Sequence, residues 1–94
     1  MSDGDILSKL RGSRQITFFT TDAGFYGRAN CHIAYCAAYV AAPEREFAAY
    51  VIRFLRHRSF RTHAMRMGKV VRIQPRGIVF WEQHRSREGE VGWE

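Results

Sequence analysis

Chemistry is most concentrated in "CHIAYC", Cys31 to Cys36. A thiol beside an imidazole is the pairing used by cysteine nucleophiles, and the same two groups ligate zinc. The spacing opposes both uses. Five residues is an odd step, so on a strand the thiols face opposite sides, about 16 Å apart along the chain. On a helix the step turns through about 500°, leaving them roughly 140° apart around the axis. Neither geometry closes a disulfide or shares a metal, and there is no other cysteine to complete a zinc set. Cys31 and His32 are adjacent, and adjacent side chains on a strand point apart. Cys36 therefore reads as a small buried packing residue, in keeping with a reducing compartment.

The histidines offer little more. His57 and His63 are six apart, which puts them on different helical faces, and His32 and His84 lie in other elements. A metal-independent ribonuclease needs a base, an acid and a cation at the phosphate, and this chain holds those residue types, as most basic chains do. The simpler reading is polar surface histidines. Phosphate-binding, dinucleotide, zinc-protease and nucleophile-elbow motifs are absent. "RGIVFWEQ" shares an Arg-Gly and one Phe with the RNA-recognition signature, but Ile78 and Val79 replace its aromatic and small residues. No catalytic residue, metal or cofactor is expected.

The charge carries more information. From Phe47 to Trp81 there are eight Lys or Arg and no Asp or Glu, while the whole chain holds fifteen bases and nine acids. All of the net +6 therefore comes from one continuous third of the sequence. Thirteen of the fifteen bases are Arg. Its planar fork of donors fits phosphate and carboxylate, although a GC-rich genome favours Arg and Ala codons regardless of function. Solvated helix faces usually mix charge signs, whereas like charges without acids repel one another unless an anionic partner offsets them. Phe54, Leu55, Phe60 and Met65 interleave the run, so it rides on a folded element. Arg53, Arg56, Arg58, Arg61 and Arg66 are the candidate partner contacts. "GFYGR" adds Tyr26 and Arg28, with Phe25 and Tyr26 between two glycines as a tip able to stack on bases. The competing reading folds Phe25 back onto the sheet and leaves Tyr26 half exposed.

These residues must be positioned by one domain, since 94 residues suit a single core. Thirteen aromatic residues argue against disorder, and the longest uncharged run, Ala29 to Pro43, is short of the roughly 20 residues that cross a bilayer. "MSDGDILSKLRG" has acids where a signal peptide carries positive charge and no apolar stretch follows, so a soluble cytoplasmic protein without membrane partners is expected. Residues 1–12 suggest a helical turn, and residues 85–94 a flexible tail with Trp93 as its anchor. "RQITFFTT" alternates as a strand. "NCHIAYCAAYVAA" is ambiguous between helix and strand, but its β-branched and aromatic content after a glycine turn favours the second arm of a hairpin. In that case Ala34, Cys36 and Ala38 would let a helix pack closely.

Pro43 then opens a helix whose apolar face is Phe47, Tyr50, Val51, Phe54 and Leu55. Its pattern fails near Arg58, and Ser59 is placed to cap a second short helix ending at Gly68. "KVVRI" and "IVFWEQ" flank "QPRG" as a final hairpin. The expected fold is α+β: a four-stranded antiparallel sheet, β-β-α-(α)-β-β, with one or two helices on one face.

Function follows from surface chemistry alone. The reading is a small, basic, non-enzymatic binding protein whose Arg-rich surface engages a polyanion or acidic partner, nucleic acid or a nucleic-acid-processing complex. One alternative is a small phage-type inhibitor docking on an acidic protein surface. Anti-defence proteins such as anti-CRISPRs are comparable in size and charge, an analogy that no motif supports. A second alternative is a small endoribonuclease toxin, although its usual helices-first order does not match a chain that begins with a strand.

Overall fold

A computed structural model describes residues 16–32, 35–83 and 85–93. The expected helical turn within residues 1–12 lies outside them. The class is α+β, built on one five-stranded mixed sheet and one main helix. The strands are β1 (Ile16–Thr20), β2 (Tyr35–Val40), β3 (Lys69–Gln74), β4 (Gly77–Glu82) and β5 (Gly89–Val91). They lie in the order β1-β2-β3-β4-β5. The helices are α1 (Phe47–Arg56) and the single turn α2 (His63–Arg66).

The expected antiparallel sheet is corrected here. β1 pairs with β2 and β2 with β3 in parallel, whereas β3-β4 and β4-β5 are antiparallel. The glycines of "DAGFYGR" do not form a tight hairpin. They sit in a connection, residues 21–34, that contains two 3-10 turns, Ala23–Phe25 and Arg28–Asn30. A link of that length can return the chain for a parallel pairing, which a two-residue turn cannot. β2 is thereby central, with Tyr35, Cys36, Ala37 and Ala38 buried in succession. Such unbroken burial is the mark of a strand covered on both faces.

Alternation divides the core between the two faces. Cys36, Ala38, Val40, Val71, Ile73 and Ile78 meet Phe54 and Phe60 on the helix side. Small side chains at Cys36 and Ala38 leave room for the Phe54 ring, as the sequence implied; Ala34 lies outside the described residues. On the other side Tyr35, Ala37 and Val70 pack with Phe25, and Ile16, Phe18, Tyr26 and Cys31 border them. The two thiols thus belong to opposite core clusters.

Helix α1 follows the expected pattern. A 3-10 turn, Glu44–Glu46, leads into it behind Pro43, and Phe47, Tyr50, Val51 and Leu55 border the helix-side core. It ends at His57, whose extended backbone stops the helical hydrogen bonding. The second helix is shorter than expected. Its cap is Thr62, not Ser59, with the threonine hydroxyl accepting from the Met65 N–H at 3.2 Å. Gly68 follows at φ 82°, a conformation that favours glycine.

The β3-β4 hairpin turns at Pro75 and Arg76, with Gln74 opposite Gly77. The segment expected to be a flexible tail instead supplies β5, paired through Ile78↔Val91. Trp93 secures its end: the indole N–H donates to the Gln74 carbonyl at 2.9 Å, and the ring packs on Tyr50.

Candidate anion-binding surface

The eight bases between Phe47 and Trp81 do not share one environment. Arg53, Arg56, Arg58 and Arg61 are exposed, and so is Arg76 in the hairpin turn. Arg53 and Arg56 occupy the last turn of α1, three residues apart and so on one face, where positive charge also suits the helix dipole. Arg58 and Arg61 follow in the irregular segment before α2. The Arg53 guanidinium lies 4.2 Å from the Trp93 ring centroid and 5.3 Å from that of Tyr50. Stacking on two rings limits its motion while its N–H edges stay exposed. Among the described residues the ion pairs are Lys69–Glu82 at 3.9 Å and Arg85–Glu82 at 3.3 Å. Neither involves the four exposed arginines of the ridge.

Arg66 is a correction. It was expected on the contact surface, yet it is 6% exposed. Its Nε–H donates to the Thr17 hydroxyl at 2.9 Å and its Nη1 to the Phe60 carbonyl at 2.8 Å. It ties α2 to β1 and to the loop before it, and its fork is occupied. Lys69 is also engaged: its ammonium donates to the Met65 carbonyl and lies 5.4 Å from the Phe60 ring centroid.

Tyr26 is not a protruding tip. Phe25 folds back and is 3% exposed, against Phe18 at a centroid distance of 5.2 Å. Tyr26 is half-buried, its hydroxyl donates to the Glu88 carboxylate, and Arg72 lies over its ring. Burial, and then Glu88, hold the phenol protonated far above its ordinary range, with a smaller opposing pull from Arg72. An expected base-stacking face is thus already covered by the chain's own guanidinium. Arg28 opens the second 3-10 turn, and its side chain lies outside the described residues.

His57 was expected on the surface and is buried. Its Nδ1 accepts from the Ser59 N–H at 3.0 Å, and its Nε2 lies 2.6 Å from the Gly92 carbonyl. That pattern assigns a neutral ring that donates from Nε2 and tethers the end of β5. His63 is exposed, with Nδ1 3.5 Å from an Arg66 nitrogen. His84 lies outside the described residues. Among the described residues no group of three His, Cys, Asp or Glu side chains could hold a metal.

A cleft of about 560 Å³ opens at the other end of α1, lined by Phe19, Thr20, Thr21, Glu44, Arg45 and Phe47. It shares no residue with the arginine ridge. No described helix is long and apolar enough to cross a membrane. No family model, curated protein or solved structure matches the chain. What defines it is a small α+β domain with a mixed sheet and an arginine ridge at the end of its main helix.

Proposed function

We propose that this chain is a non-enzymatic binding protein that sets Arg53, Arg56, Arg58 and Arg61 against the phosphates of a nucleic acid. The observation that carries the reading is that these four are exposed with no described carboxylate in ion-pair reach. Tyr26 is withdrawn and no aromatic residue is among the exposed large hydrophobics, which favours backbone contact over base readout. His57 commits both ring nitrogens to backbone groups, which supports a role without catalysis.

The test is the change of all four arginines to Glu. All four are exposed, with Arg53 stacked on Tyr50 and Trp93 at the edge of the core, so the variant should still fold while four attractive contacts become repulsive. Wild-type affinity should fall with salt by about 0.9 in log–log slope per phosphate contact on duplex DNA and about 0.7 on a single strand, and each Arg→Gln change should remove one such increment. Equal binding by wild type and the quadruple variant would sink the proposal.

A second reading, docking on an acidic protein surface, draws on Ile52. This residue is 49% exposed on α1 beside Arg53, and an apolar contact there suits a protein partner better than a phosphate backbone. Affinity capture that persists after nuclease treatment and is lost on Ile52→Glu would favour it.

A further inference from the structure

Arg72 stands on the opposite face of the sheet from the ridge. In "KVVRIQ" Val71 and Ile73 point to the helix side, so Arg72 points away, opposite Tyr39 on β2 and Val79 on β4. It is half-buried, and its Nε is buried without a hydrogen-bond partner among the described residues. No described carboxylate pairs with it. Glu88 is taken up by the Tyr26 hydroxyl, and Glu90 lies a strand further out, opposite Val79. Tyr26 covers the guanidinium from one side at 5.2 Å, Tyr39 borders it across the strand, and half-buried Trp81 lies diagonally beyond Val79.

A guanidinium that is partly desolvated and lacks an acceptor is incomplete, because its donors prefer charge-assisted bonds to an anion. The surroundings narrow the choice of anion. Its aromatic neighbours are Tyr26, Tyr39 and Trp81, and Glu90 on the same sheet face disfavours a second negative charge. We propose that Arg72 anchors a second binding site, which takes the carboxylate of a small ligand carrying a flat apolar group. The carboxylate accepts from the terminal N–H groups of Arg72, since its Nε is closed to solvent, and the apolar part lies beside Tyr39 and Trp81. This site stands apart from the nucleic-acid reading, since it shares none of the ridge residues.

Benzoate is the probe, with acetate and inorganic phosphate as comparisons, and the readout is the arginine side-chain N–H resonances by NMR. Benzoate should shift the Arg72 Nε–H saturably, at concentrations that leave the exposed Arg56 unmoved. Acetate and phosphate should bind more weakly. The quadruple ridge variant should bind benzoate as wild type does, which separates failure here from failure of the nucleic-acid proposal. Arg72→Lys keeps the charge but not the fork, and should weaken binding by about tenfold, read at the Tyr39 amide. An unmoved Arg72, or equal shifts at Arg72 and Arg56, would overturn the assignment. So would phosphate binding as tightly as benzoate. The wild-type titration decides the matter even if the lysine variant fails to fold.

Discussion

Replacing Arg66 by Ala should damage the fold, although the sequence groups it with arginines whose loss should not. The side chain is nearly inaccessible and makes two well-formed bonds, to the Thr17 hydroxyl and the Phe60 carbonyl. Hydrogen bonds from charged groups contribute about 1.5–3 kcal/mol each, and a carbonyl left buried without a donor adds its own penalty. Thr17 is half-buried and can recruit water, so its bond counts at the low end. The expected loss is about 3 kcal/mol, a large share of the roughly 5–15 kcal/mol that holds a domain together. For a domain of this size that corresponds to a fall in Tm of about 12–24 °C. Urea unfolding followed by circular dichroism measures it. Arg66→Met separates the terms: it restores the buried stem but no donor, and should recover only part of the loss. Arg61→Ala, on the exposed ridge, should stay within about 0.5 kcal/mol of wild type. If Arg66→Ala matches Arg61→Ala, the reasoning that divides these arginines into internal and external groups fails.

Two further outcomes follow from buried groups. His57→Ala removes both backbone contacts of the ring, so β5 should loosen by about 2 kcal/mol. Amide exchange at Val91 should accelerate accordingly, and unchanged protection there would show that the imidazole does not tether the strand. Burial pushes the Cys36 thiol from 9.0 up to about 12, with Arg66 and Lys69 pulling weakly the other way. A raised folded pKa favours the neutral thiol, so this contribution is intact below about 9 and is lost as pH rises towards about 12. Cys36→Ala should therefore flatten the alkaline fall in urea midpoint across that window, while Tyr26 keeps its own share in both proteins. Parallel curves would refute it.

Local pattern carried most of the elements. The alternation Ile16–Thr17–Phe18–Phe19 gives β1, the face Phe47, Tyr50, Val51 and Phe54 gives α1, and "QPRG" between two apolar runs gives the β3-β4 hairpin. Strand direction was not local. Nothing in "DAGFYGR" separates a wide turn from a crossover, because the parallel return of β2 depends on the length of chain up to Tyr35 and on burial of both its faces. A clue was present in "YCAAYV", where small residues occupy both alternating sets, as a central strand requires. β5 was hidden because Gly89–Val91 is too short to show a period, and its support comes from His57 and Trp93, which reach it from or towards distant positions.

The candidate surface was legible in part, for a reason that lies in geometry. A run of like charges along a chain becomes a patch in space only where consecutive residues share a face. At the end of α1 Arg53 and Arg56 meet that condition, and Arg58 and Arg61 stay exposed in the segment that follows. Beyond the exposed residues Thr62 to Met65 the chain turns inward: Arg66 has to span α2 and β1, and Lys69 begins a strand flanked by Phe60 and Phe80. At Arg72 the alternation of "KVVRIQ" already separates it from Val71 and Ile73, so its place on the far face could be read from the sequence. Acid-free sequence thus has two different causes here. On the ridge, exposed charge without a described carboxylate beside it repels itself, and the proposed phosphate contacts would offset that repulsion. At Arg66 and Lys69 the donors are met by neutral hydroxyl and carbonyl oxygens, so acids are not needed beside Arg66 and one distant glutamate suffices at Lys69. Arg72 has neither remedy among the described residues, which is why the second site is proposed there.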